Sequence, residues 1–99
     1  MSTLELARFT VAPEEVAGML AARPAMVEEL RAHCPGFRRV YLTRVDEDTW
    51  LDVVEWESRE AAEAAMATVM ELPGCRRVFG HIREVLAMEH ADVVEEASA

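Results

Sequence analysis

The sequence predicts one α+β domain in the order β-α-β-β-α-(α)-β, with a four-stranded antiparallel sheet carrying its helices on one face. Three observations carry this expectation. Four short runs rich in β-branched and aromatic residues read as strands. The stretches between the first and second runs and between the third and fourth place apolar residues at helical spacing instead. Pro-Gly pairs at 35–36 and 73–74 punctuate the chain where helices should stop. At 99 residues the chain makes a single domain, 1–99, with an ordered core from about 3 to 95.

Leu4 to Val11 is the first expected strand, with Leu4, Leu6, Arg8 and Thr10 on one face and Ala7, Phe9 and Val11 on the other. Pro13 then stands where a first helical residue belongs, followed by Glu14 and Glu15, which favour the positive end of the helix dipole. Val16, Met19, Leu20, Val27, Leu30 and Cys34 continue at helical spacing. Pro24 removes a backbone donor inside that helix and predicts a kink. Phe37 to Val45 and Thr49 to Glu57 read as strands joined by the polar turn Asp46-Glu47-Asp48. Ser58 is placed to cap a second helix, whose stripe is Ala61, Ala62, Ala65, Met66 and Val69. Cys75 to Arg83 reads as a short third helix and Val85 to Val94 as the last strand, before a fraying tail. This order is the ferredoxin-like split arrangement.

Helices cover only one face of such a sheet, so the other face should alternate apolar with polar residues if it meets water. It does not alternate cleanly. Leu4 and Leu6 oppose Ala7, Phe9 and Val11; Trp50, Val54 and Trp56 oppose Leu51 and Val53. Both faces call for burial, and no spare element covers the second. The expectation is a homodimer through the open sheet face.

Charge narrows the partners. The formal net charge is -9, which repels nucleic acid and anionic membranes alike. All ten basic residues are Arg, so a Schiff-base lysine is excluded. Nothing resembles a signal peptide or a membrane helix, and the two cysteines, Cys34 and Cys75, form no CxxC, so the expected setting is cytoplasmic. His33-Cys34, Cys75, His81 and His90 show no metal-ligand spacing, so no metal is expected.

Several segments together resemble the antibiotic biosynthesis monooxygenase family of dimeric α/β barrels. They are Ala-Arg-Phe-Thr-Val at 7–11, Arg23-Pro24, Pro35-Gly36-Phe37, and Trp50 to Ser58 running into an Ala-rich helix. The resemblance spans roughly residues 3 to 95. It implies two protomers forming a dimeric α/β barrel. It also implies a cofactor-independent monooxygenase acting on an aromatic polyketide-like or quinol small molecule. Haem-degrading members of the family typically use an Asn on the first strand, a Trp in the second helix and a His in the third. This chain has no Asn at all, and those helix positions fall near Ala65 or Met66 and at Phe79, so haem degradation is not expected. Alternatives of the same barrel type are a non-oxidative cyclase or isomerase, and a non-catalytic dimer that binds a small molecule.

Oxygenation without metal or flavin needs an electron-rich, readily deprotonated substrate, a dry cavity and a cation or donors at one end. Arg23, on the apolar stripe of the first helix, is a candidate cation, although an Arg there also suits a stem on the core and a head in water. His81 and His90 are candidate acid/base groups. Candidate substrate-binding residues are Arg8, Tyr41, Trp50, Asp52, Trp56 and Met66, with Arg8 suited either to a structural pair with Asp52 across the sheet or to a ligand. Trp50 and Trp56 could wall a planar ligand or simply fill core. Met66 is an adaptable residue on an Ala-rich helix that either hugs the sheet or leaves a void.

Overall fold

A computed structural model describes residues 1–99. The strands are β1 (Thr3–Thr10), β2 (Phe37–Arg44), β3 (Thr49–Trp56) and β4 (Glu84–Asp92). The helices are α1 (Val16–His33), α2 (Arg59–Val69) and α3 (Pro73–Phe79), with a 3-10 turn at Pro13–Glu15 leading into α1. The sheet runs β2-β3-β1-β4 and every neighbour pair is antiparallel, so the expected ferredoxin-like α+β fold is present. No helix is long and apolar enough to cross a membrane.

Register fixes which side chains share a face. Ala7 stands opposite Asp52 on one side and Met88 on the other, while Glu5 stands opposite Val54 and His90. Since side chains alternate, Glu5, Ala7 and Phe9 project with Asp52, Val54 and Trp56 toward the helices. Leu4, Leu6 and Arg8 project with Leu51 and Val53 to the opposite, uncovered face.

α1 presents Met19, Ala22, Arg23, Met26 and Leu30 to the sheet, a stripe at spacings of three and four. Leu20, expected inward, lies one residue off that stripe and is 45% exposed. Pro24 is exposed and the helix is continuous through it. A proline on the solvent side leaves the carbonyl it fails to serve where water can reach it.

Ser58 caps α2 as expected, its Oγ accepting from the Ala61 N–H at 3.1 Å. α3 differs in position from the expected Cys75 to Arg83. Pro73 occupies its first turn, and the cap comes from a distant residue. Glu29 of α1 accepts the Gly74 and Cys75 N–H groups at 2.7 and 2.8 Å. Burial opposes the Glu29 charge, but those backbone donors outweigh it and hold its carboxyl below the usual range. A cap drawn from 45 residues away cannot be read from local sequence.

Candidate functional site

The helices do not close fully onto the sheet. Between them lies a cavity of about 290 Å3, lined by 20 residues of which 17 are hydrophobic. Its floor is Ala7, Phe9, Val54 and Trp56 of the sheet, and its far walls include Met26 of α1 and Phe79 and Ile82 at and beyond the end of α3. Ala65 on α2 is small enough to leave this room, so the Ala-rich helix both approaches closely at Ala62 and gives space at Ala65. The rim is apolar and open. Met66, Met70, Val85 and Met88 line it, and each is 44% or more exposed.

The only polar residues lining the cavity are Glu5, Arg23 and Asp52. Arg23 and Asp52 form a two-pronged ion pair, with Nη1 and Nη2 donating to Oδ2 and Oδ1 at 3.1 and 2.9 Å. Arg8, a candidate partner for Asp52, cannot pair with it. It stands opposite Leu51 on the other face of the sheet. The shift by one residue in the pairing decides this, since adjacent strand residues point to opposite faces. Burial pushes the Asp52 carboxyl above its ordinary value, and Arg23 pulls it only part of the way back.

Glu5 was not singled out in the sequence. It is nevertheless the one charged residue in the cavity lining without a hydrogen-bonded partner. Its Oε1 lies 3.8 Å from His90 Nε2, beyond hydrogen-bonding distance, and its side chain is only 16% exposed. Burial raises its carboxyl pKa, the His90 ring and the Trp56 indole oppose that rise, and Asp52 adds to it. Both His90 Nε2 and Trp56 Nε1 are buried without a hydrogen-bond partner. The signal in the sequence was the phase: Glu5 shares its face with Ala7 and Phe9, where a carboxylate is costly without a task.

The remaining candidates separate. Trp56 and Met66 line the cavity, and His90 stands behind Glu5 on β4. Trp50 is on the covered face but outside the cavity, with the Arg44 guanidinium 4.6 Å above its ring. Tyr41 is 57% exposed on the open face, in a shallow depression with Arg39 and Glu55. His81 leaves the cavity altogether. Its Nδ1 meets Glu15 Oε1 at 2.7 Å, and its ring lies so close over Gly18 that a Cβ there would come within 2.6 Å of Cε1. Cys34 and Cys75 are buried and unpaired.

The sequence model described as antibiotic biosynthesis monooxygenase matches residues 3–80. The chain belongs to that family. No curated protein sequence matches it. Among solved structures, a Caulobacter crescentus protein assigned to the antibiotic biosynthesis monooxygenases superposes with a TM-score of 0.77 at 19% identity, covering 95% of this chain and 91% of that one. A Bordetella bronchiseptica protein with the same assignment gives 0.75 at 22% identity, covering 95% and 98%. SnoaB of Streptomyces nogalater, a cofactor-independent oxygenase, gives 0.61 at 22% identity, covering 97% and 95%. At these identities the likeness is one of fold, and the chemistry must come from the residues in this cavity.

Proposed function

We propose that this family member is a cofactor-independent monooxygenase acting on an aromatic, polyketide-like phenol or quinol. The observation that carries the reading is the cavity itself: about 290 Å3, apolar on every wall except for one carboxylate and one ion pair. A flat, largely apolar ring would bury well there, with Trp56 and Phe79 along its faces. The cofactor-independent oxygenase among the similar folds supports the same reaction class.

A phenol with a free para carbon reacts with one molecule of oxygen to give a quinone and water. One oxygen atom becomes the new carbonyl and the other leaves as water. The protein must favour the electron-rich aryloxide and keep bulk water away. Arg23 is the candidate cation for that anion. Its charge is matched by Asp52, so the pair orients polar substituents through its remaining N–H and lone-pair sites without a net positive field. Trp56 and Met66 contact the ring, and His90 acts on the floor through Glu5.

The reading includes a homodimer through the uncovered sheet face, where Leu4, Leu6, Leu51 and Val53 remain half exposed. It also includes a reducing, cytoplasmic setting, with which two unpaired cysteines accord.

The test is oxygen uptake with 1-naphthol in air. The expected result is formation of 1,4-naphthoquinone with one atom from 18O2; no oxygen consumption across a panel of naphthols and quinols would sink the reading. Buried carboxylates also suit enolisation or ring closure, so turnover that persists under nitrogen would favour a cyclase or isomerase instead.

A further inference from the structure

Every charge near the cavity floor can be assigned. Arg23 and Asp52 neutralise each other on α1 and β3. His90 faces Glu5 from β4, and Trp56 offers an indole N–H from β3. Cys34, at the end of α1, feels the Glu5 charge but does not line the cavity. That leaves Glu5 as the one carboxylate on the floor that accepts no hydrogen bond, beside the Trp56 indole N–H and the His90 Nε2, which also lack partners.

We propose that Glu5 accepts the hydroxyl hydrogen of a neutral hydroxyaromatic ligand and, in turnover, takes that proton. The cavity therefore selects neutral phenols over carboxylates and other anions. The inference deepens the monooxygenase reading and rests on it for the turnover step alone.

The geometry supplies the reasons. A ligand carboxylate on this floor would face Glu5 and Asp52 with only one neutralised guanidinium nearby, and like charges in a poorly solvated site repel strongly. A phenol brings a donor to the acceptor that lacks one. In the proton-transfer step the aryl O–H bond breaks, its electron pair stays on oxygen as aryloxide, and the proton forms an O–H bond on Glu5. Glu5 then returns the proton to the outer oxygen of the peroxide formed at the para carbon; the para C–H bond and the O–O bond then break, the new C=O forms, and the hydrogen from carbon completes the departing water. The His90 ring at 3.8 Å and the Trp56 N–H favour the ionised carboxylate before transfer. A carboxyl raised by burial is also a better proton acceptor than an ordinary glutamate, as general-base catalysis requires.

Binding can be measured without turnover. Under nitrogen, quenching of tryptophan fluorescence reports 1-naphthol affinity as pH is varied. Ionised Glu5 makes a charge-assisted bond about twice as strong as a neutral one, so affinity should rise roughly tenfold as pH rises through the Glu5 titration. That midpoint should lie above the ordinary glutamate value. Glu5→Gln should bind 1-naphthol with no such rise, and 1-methoxynaphthalene, lacking the O–H, should show none with either protein. Affinity for 1-naphthoate should fall over the same range. His90→Gln removes a group that favours the Glu5 charge, so the midpoint should move to higher pH. In air, Glu5→Gln should lose about 100-fold or more in kcat.

A wild-type affinity that is flat with pH, absent binding, or the same pH dependence in Glu5→Gln would each overturn the assignment. If the binding pattern holds while no oxygen is consumed, the monooxygenase reading fails and Glu5 stands as the recognition residue. If oxygen is consumed equally well by Glu5→Gln, the reading survives and Glu5 is not its base.

Discussion

The two faces of the sheet carry the same kind of ion pair in opposite surroundings. On the covered face Arg23 holds Asp52, with side chains only 10% and 16% exposed. On the open face Arg38 and Arg39 reach Glu55 at 3.6 and 3.2 Å, with the arginines 47% and 62% exposed. Coulomb attraction scales inversely with the local dielectric, and so does the cost of stripping water from the charges. The covered pair is therefore costly to place and more costly to break, whereas the open pairs are nearly free in both directions. A protein that keeps three ionisable groups in an otherwise apolar cavity gains little stability from them, and that points to a ligand.

The largest effect should come from breaking the covered pair from one side. Arg23→Ala leaves Asp52 buried without a partner and should cost about 3–5 kcal/mol in urea unfolding. The loss depends on pH. Burial raises the Asp52 carboxyl in the folded protein despite Arg23, so the native state holds that proton more tightly than the unfolded chain. Stability consequently falls as pH rises through the carboxylate range. Removing Arg23 raises that carboxyl further, so the deficit of the variant should be small in acid and full near neutrality. Replacing both residues by leucine should recover most of it. A deficit independent of pH would mean that packing, not charge, sets the cost.

A smaller effect tests how the covered face is built. Gly36 has φ +91, and a Cβ there would come within 2.6 Å of the Ala61 Cβ on α2. Gly36→Ala should cost about 1–3 kcal/mol through backbone strain and displacement of α2. Since α2 carries Ala65 and Met66 over the cavity, weaker 1-naphthol binding should accompany the thermal shift.

The sheet and its four strands were legible because periodicity two and turn residues are local signals. Helix α1 was legible from Pro13 and its apolar spacing, and Ser58 from its capping chemistry. What escaped was long-range. The Glu29 cap spans 45 residues. The pairing of Arg23 with Asp52, and not Arg8 with Asp52, depends on a one-residue register that the sequence does not specify. Glu5 has no local mark, since a lone acid on a strand usually faces solvent and only the sheet order sets His90 beside it. His81 was attractive as an imidazole near the cleft, yet Gly18 lets it fold back onto α1, where Glu15 holds it.

On the open face, Val53 stands opposite both Leu6 and Tyr41. Val53→Glu should leave the fold intact while sedimentation shows a homodimer giving way to monomer. An unchanged sedimentation coefficient would remove the open face as the association surface.

The smallest expected effect belongs to Arg39→Ala, and it is informative for that reason. The guanidinium is well exposed in the single chain, so deleting it should shift the unfolding midpoint imperceptibly. Its worth changes if a second copy covers this face. Water would then be excluded from Arg39 and Glu55 together, and the pair would acquire the character of Arg23 and Asp52. The unfolding midpoint of Arg39→Ala, followed from dilute to concentrated protein, separates the two situations. A deficit that grows with protein concentration places Arg39 inside an association surface, because only the dimer excludes water from a Glu55 left with Arg38 alone at 3.6 Å. A midpoint indistinguishable from the wild type at every concentration leaves Arg39 in water and confines any dimer contact to the apolar centre around Leu6, Leu51 and Val53.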